Sequence, residues 1–315
     1  MIDIATGRLL AKKVVGTEAG EEPGMFYSIA STPAVLDLDS DGFADVIYVG
    51  DLGGNMWKWV VTAAGDDPIN SIANVTQPNW PFKKFFTTPG VVVGSSTYYK
   101  SVFYPPLATF VGKQLWLAWG TGERTNLRFG DPAPASTTDN NRLYVMSDSD
   151  PYERLVPAKA TLTESDLGLP QSSTVGNSCT SCAPPSGKSG YSIVAKDSEK
   201  FVTNVEIFSG HIFAGAFTPA STTDPCNSGG EAALYEIAGI QCGSGGFPSD
   251  LSPMPTRMTL GAGMPTDPRI TISSDGGEAS SNRVIVSKQQ GDISNIEAPP
   301  IPSGGAGVLY WRERP

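Results

Sequence analysis

The sequence predicts an all-β protein with a modified β-propeller architecture, and three observations carry that expectation. Glycine (35) and proline (26) make up nearly a fifth of the 315 residues, while charged residues are only 17%, a composition of turns more than of long helices. Short apolar runs alternate with turn residues along the chain. A unit of at least three such runs recurs four times, and sheets of that size bury their faces only by stacking on one another. A β-sandwich would also give short alternating strands, but the recurrence of the unit favours the propeller. We read residues 1–315 as one domain, within the range that length allows.

The units follow in order. The first is TPAVLDLD (32–39), ADVIYVGD (44–51) and GGNMWKWVV (53–61). The second is PPLATFVG (105–112), KQLWLAWGTGE (113–123) and NNRLYVMSD (140–148). The third is FVTNVEIFSG (201–210), GHIFAGAFTPA (210–220) and GGEAALYEIAG (229–239), and the fourth is PRITISSDGG (268–277), SNRVIVSKQQGD (281–292) and GAGVLYWRERP (305–315). The aromatic residues Trp57, Tyr144, Tyr235 and Tyr310 are spaced 87, 91 and 75 residues apart, longer than the roughly 40 to 50 of common blades. Polar tracts such as GNSCTSCAPPSGKSG (176–190) and SNIEAPPIPSGGAG (294–307) therefore read as insertions. One short helix is expected in ATLTESDLGLP (160–170), where Thr161 and Glu164 have capping-box spacing and Gly168 and Pro170 stop it. A closed ring needs about four to eight blades, so four units make a small ring or part of a larger one.

A net charge of −10 and a pI near 4.6 argue against nucleic acid or an anionic membrane as the main partner, because both would be repelled. No apolar run reaches the roughly 20 residues of a bilayer span, and no basic stretch with an apolar run opens the chain. An export signal is expected upstream, with Met1 an internal start just before the Thr6-Gly7 turn of MIDIATGRLL. Cysteines occur as Cys179-x2-Cys182 and Cys226-x15-Cys242. In Gly/Ser/Pro-rich segments without a second close pair these favour disulfides over zinc, with three pairings open.

The stretch DLDSDGFAD (37–45) carries the chemistry. Asp37, Asp39 and Asp41 occupy loop positions 1, 3 and 5, Gly42 at position 6 permits a sharp turn, the Phe43 carbonyl stands at position 7 and Asp45 at position 9. Four carboxylates so close repel one another unless a cation joins them. Oxygen-only donors in a flexible loop favour Ca2+ over zinc, copper or Mg2+. An EF-hand is excluded, because position 12 is Tyr48 instead of a bidentate Glu and the following DVIYVGD alternates as a strand. The site reads as a hairpin loop closed by a bidentate Asp45.

Catalysis is not expected of this site, which has neither a ligand histidine nor a nucleophile partner beside it. The only histidine, His211, opens a strand and reads as structural. GTGERTN (120–126) lacks the lysine and helix of a phosphate loop and reads as a turn. Asp66 and Asp67 before Pro68 read as a turn, Asp148 and Asp150 as an exposed turn more than a second cation site, and Asn74-Val75-Thr76 as a formal glycosylation acceptor.

Taken in order, these motifs resemble the PilC/PilY family of type IV pilus biogenesis proteins, in which an Asp-rich calcium loop runs into Tyr-x-Gly-Asp-Leu-x-Gly-Asn-x-Trp. Here those residues are Asp37, Asp39, Asp41, Asp45, Tyr48, Gly50, Asp51, Leu52, Gly54, Asn55 and Trp57. WGTGERTN (119–126), NRLYVMSD, LTESDLG (162–168), SEKFVTNVEIFSGHIFAGAFTPAS, DPCNSGGEAALYEIAG (224–239) and the terminal LYWRE follow in the family's order. The resemblance implies part of a seven-bladed propeller at the C-terminus of a larger exported protein, without its first blades or its adhesive N-terminal region. It implies a non-enzymatic, Ca2+-regulated role in pilus assembly, retraction, twitching motility and adhesion. It places the protein at the pilus tip, the outer membrane surface or the periplasm, with pilins or minor pilins and a host or abiotic surface as partners. It also assigns the calcium ligands to Asp37, Asp39, Asp41, Phe43 and Asp45.

Two alternatives are weaker. DIATGRLL resembles the strand-turn signature of pyrroloquinoline quinone dehydrogenase propellers, but such a cofactor draws contacts from many blades. Integrin-like receptor propellers carry similar Asp loops, but repeat them in several blades, and here the loop occurs once.

Overall fold

The computed structural model describes residues 1–2, 5–9, 11–17, 21–40, 42–61, 80–111, 114–127, 140–168, 187–208, 211–220, 229–238, 257–271, 282–288 and 291–297. Asp41, Asp66, Asp67, the 74–76 acceptor, all four cysteines and the aromatic run at 305–315 lie outside them.

Four sheets follow one another along the chain. The first holds β1 (Ala34–Leu36), β2 (Val46–Gly50), β3 (Asn55–Val60) and β4 (Phe82–Thr87) in that spatial order. A small hairpin of β5 (Val91–Val93) and β6 (Ser96–Tyr98) precedes the second sheet, which the sequence did not suggest. The second sheet contains β7 (Leu107–Val111), β8 (Gln114–Gly120), β9 (Arg142–Asp148), β10 (Leu167–Gly168) and β11 (Gly190–Val194), in the order β10-β11-β9-β8-β7. The third is a meander of β12 (Lys200–Phe208), β13 (His211–Pro219), β14 (Gly230–Ala238) and β15 (Arg257–Ala262), and the fourth contains β16 (Arg269–Thr271), β17 (Arg283–Ser287) and β18 (Ile293–Glu297). Neighbouring strands pair antiparallel except β10 and β11.

The three-strand units expected from the sequence are present in the first three sheets, and each gains a further antiparallel strand: β4, β11 or β15. In the fourth sheet the third described strand is β18, inside a segment read from sequence as an insertion. Ile293 and Ile296 stand three residues apart with polar Ser294 and Asn295 between them, which is not a strand's period of two, and Pro299, Pro300 and Pro302 follow.

The sheets stack because successive side chains of a strand point to opposite faces. On β8, Leu115, Leu117 and Trp119 join Val46, Tyr48, Met56 and Phe86 of the first sheet in one core. The intervening Trp116 and Ala118 join Phe201, Ile212 and Tyr235 of the third sheet in another. The same switch occurs one sheet later, where Ile212 and Ala214 face the second sheet but Phe213 packs with Val284 and Val286 of the fourth. Central sheets are thus apolar on both faces, each large side chain contributing about 1.5–3 kcal/mol on burial. This is radial stacking, as in a propeller.

The helix is smaller and shifted from its expected place. It is a single 3-10 turn, Glu164–Asp166, and the Thr163 amide donates to the Asp166 carboxylate at 2.8 Å. The box thus joins residues 163 and 166, not 161 and 164, because Thr161 donates its hydroxyl to the Lys84 carbonyl beyond its own segment. GTGERTN is a turn as expected, with Gly122 at φ +131° and its amide on the Ser101 carbonyl. Thr6-Gly7 turns the chain between the bridged Ile2 and Leu9.

Candidate metal centre

Residues 37–45 span the connection between β1 and β2, whose register pairs Leu36 with Val46. An antiparallel pair with a nine-residue link explains why a helix-based calcium loop is excluded here. The Asp45 amide donates to the Leu36 carbonyl at 2.8 Å, and the Asp45 carbonyl accepts from Val61 at 2.7 Å, so the loop is tied to β1 and to the end of β3.

Inside the link, the Asp37 carboxylate accepts from the amides of Ser40 (2.7 Å) and Gly42 (2.8 Å), and Asp45 Oδ2 accepts from Leu38 (2.6 Å). Ser40 at φ +64° and Gly42 at φ +92° provide the reversal. A side chain at Gly42 would meet no neighbour, so it is the backbone angle that favours glycine there. One carboxylate oxygen from each of Asp37, Asp39 and Asp45 lies within 4.8 Å of the others. Oxygens on a common Ca2+ stand about 2.3–2.6 Å from it, so they are up to about 5 Å apart, and this spacing fits. Asp45 is buried, and Asp37, Asp39 and Phe43 are exposed. An opening to solvent on one side with an anchored carboxylate beneath is a workable entry for a cation. The donors are hard oxygens, which fit Ca2+.

The GDLGGN stretch after the loop has a structural task. Asp51 is fully buried, and its carboxylate accepts from the amides of Gly53 (2.9 Å) and Asn55 (3.0 Å), from the Asn55 side chain (2.9 Å) and from Trp57 Nε1 (2.7 Å). Gly54 sits at φ +81°, where a Cβ would stand 2.2 Å from Thr88 Oγ1. The motif is therefore a satisfied turn that fixes β2 against β3.

Asp148 and Asp150 differ from expectation, because both are buried. Lys58 Nζ stands where a second cation would: it contacts Asp148 Oδ2 (2.6 Å), Glu153 Oε1 (2.7 Å) and the Asp150 carbonyl (2.6 Å). Burial alone pushes the Asp150 carboxyl up, but the amides of Leu155 and Arg154 and the Lys58 charge outweigh it and hold it below the usual range. His211 is buried on β13 with Nδ1 3.2 Å from Glu236 Oε1, in keeping with a structural role.

One neighbour of the loop was missed from sequence. Tyr152, 107 positions beyond Asp45, brings its hydroxyl to 3.4 Å from Asp45 Oδ2. Burial first, then the charges of Asp45 and Asp39, push this phenol up to about 12. No local pattern in SDSDPYER marks it, since the contact forms only when the second sheet packs on the first.

A family model described as the PilY1 beta-propeller domain matches residues 1–174, more than half of the chain. The chain belongs to the PilY1 β-propeller family. The type IV pilus biogenesis factor PilY1 of Pseudomonas aeruginosa (strain UCBPP-PA14) is 38% identical over 81 residues, which are 25% of this chain and 7% of that protein. A PilY1 homolog of Xylella fastidiosa is 35% identical over 72 residues, 22% of this chain and 5% of that protein. The matched segments thus span less than a tenth of these relatives' own length. The crystal structure of the Pseudomonas aeruginosa PilY1 C-terminal domain superposes with a TM-score of 0.59 at 17% identity, covering 95% of this chain and 66% of that one, a likeness of fold. Among the described residues of this PilY1-family propeller, no helix is long and apolar enough to cross a membrane.

Proposed function

We propose that this chain is a calcium-binding propeller of a type IV pilus biogenesis factor, with a regulatory and structural task instead of a catalytic one. The observation that carries this reading is the convergence of Asp37, Asp39 and Asp45 at the β1–β2 link in a chain of the PilY1 family. Asp41 and the Phe43 carbonyl supply the further ligands that positions 5 and 7 of such a loop offer. When bound, Ca2+ neutralises the clustered carboxylates and locks the hairpin. The residues themselves orient the site: Leu38, Ser40 and Gly42 amides aim two of the carboxylates, and Val61 fixes the loop to β3. The loaded propeller supports pilus assembly at the pilus tip or outer surface of an exported protein and opposes retraction. It contributes through pilin or minor-pilin contacts to twitching motility and surface adhesion.

Calorimetric titration and thermal unfolding in millimolar CaCl2 test the reading, because exported sites of this kind reach affinities as weak as about 10⁻⁴–10⁻³ M. Calcium raises the melting temperature of the wild-type chain, and Asp45→Ala removes both the heat of binding and the shift. A wild-type chain indifferent to calcium would sink the metal assignment. In cells, the same substitution in the whole protein increases pilus retraction, read as the piliated fraction; unchanged piliation with lost binding would remove the regulatory half.

A further inference from the structure

The turn Asp150–Leu155 touches two different things. On one side the Tyr152 hydroxyl reaches Asp45 Oδ2 at 3.4 Å, and the Arg154 guanidinium covers the Tyr152 ring at 4.4 Å from its centroid. On the other side Glu153 holds two lysines of the first sheet, Lys58 on β3 at 2.7 Å and Lys83 on β4 at 2.6 Å. The turn follows β9 of the second sheet, so it is the piece through which the cation loop and the junction of the first two sheets meet.

The turn is also stiff. The Asp150 amide donates to Asp148 Oδ1 at 2.8 Å, and the Asp150 carboxylate accepts from the amides of Arg154 and Leu155, each at 2.9 Å. Glu153 is held at φ +53° with its amide on the Asp150 carbonyl. Next to Tyr152 in this braced turn stands Glu153, which is joined to the buried Lys58 and the half-buried Lys83. The 3.4 Å contact is long for a hydroxyl on a carboxylate, whose usual range is about 2.5–3.0 Å, and leaves room to tighten.

We propose that this turn senses loading of the hairpin: Tyr152 is a positioning residue for Asp45, and cation entry tightens the Asp150–Leu155 turn and, through Glu153, the junction of the first and second sheets. The proposal rests on the calcium reading above. Groups that orient a liganding carboxylate typically change affinity about 10- to 100-fold when removed. Coupling is reciprocal, so a turn that loading stabilises must in return support loading.

The test combines CaCl2 titration of the whole chain with amide hydrogen exchange across residues 150–155, in wild type, Tyr152→Phe and Asp45→Asn. In wild type, calcium slows exchange at Arg154 and Leu155. Tyr152→Phe weakens calcium binding about tenfold and removes most of that slowing, while Asp45→Asn abolishes binding. If wild type binds calcium but exchange in the turn is unchanged and Tyr152→Phe binds equally well, the coupling is wrong and the cation site stands. If wild type does not bind calcium, the cation site falls and the coupling with it. Should Tyr152→Phe fail to fold, as judged by circular dichroism, the exchange comparison in wild type alone decides.

Discussion

The Asp51 carboxylate lies wholly inside the protein and is satisfied by donors from within six residues of it. Its worth is mainly the cost of losing it. Asp51→Ala strands the Gly53 and Asn55 amides and Trp57 Nε1, each a buried donor worth about 1–3 kcal/mol when unmet. We therefore expect a loss on the order of 3 kcal/mol or more in urea unfolding. A change under 1 kcal/mol would mean that water replaces the carboxylate and that the turn is held by Gly54 and its backbone. Asp45 immediately precedes Val46, the first residue of β2, and only one of its oxygens accepts from a backbone amide, that of Leu38. Asp51 and Asp45 thus differ in how fully the surrounding donors use the carboxylate.

At the scale of the element, three strands carry a tyrosine that meets a carboxylate at a sheet interface. Tyr48 on β2 donates to Asp148 at 2.6 Å, Tyr144 on β9 to Glu164 at 2.6 Å, and Tyr235 on β14 to Glu199 at 2.5 Å. A cation stands beside each carboxylate: Lys58, Lys100 and Arg257 in turn. Burial, followed by the neighbouring negative charge, raises all three phenols above their ordinary value. The sign follows directly. A phenol whose folded value exceeds the unfolded value of about 10 stabilises the fold fully below pH 10, and that stability is lost as the pH climbs towards the folded value. Tyrosinate absorbance and circular dichroism followed together above pH 10 should therefore show part of the tyrosine ionisation occurring only with loss of sheet signal. Complete ionisation of all tyrosines with the signal intact would refute the assignment of these three as locked donors.

For the molecule as a whole, stability resides between the sheets. Trp119 is buried in the junction of the first two, its ring 5.6 Å from Phe86 and 5.4 Å from Tyr144. Trp119→Ala opens a cavity there and should cost about 3–5 kcal/mol, read as a lowered urea midpoint with calcium held fixed. If the midpoint falls by less than 1 kcal/mol equivalent, the first and second sheets do not share a core. The same junction contains the Lys58 cage and the turn that reaches Asp45, so the acidic loop and the packing of the two sheets share one region.

The chain's pattern alone determined the all-β class, the order of the strands in the first three units and the place of the acidic loop, because side-chain alternation and turn residues are local signals. DLDSDGFAD likewise announced its own hairpin, since the missing Glu at position 12 and the strand after it are both written within twelve residues. What packing decided was everything set by residues far apart in the chain. The outer strands β4, β11 and β15 were not separable from loops by pattern, and β18 was hidden in a proline-rich tract. The capping box moved by two positions because Thr161 found a partner on the neighbouring sheet. Asp148 and Asp150 read as an exposed turn until Lys58, some 90 residues away, was brought beneath them. Tyr152 came to Asp45 in the same way. An unbroken apolar run says that both faces of a strand are apolar, but which residue lies opposite depends on how one twisted sheet settles on the next, and that is fixed only when the sheets pack.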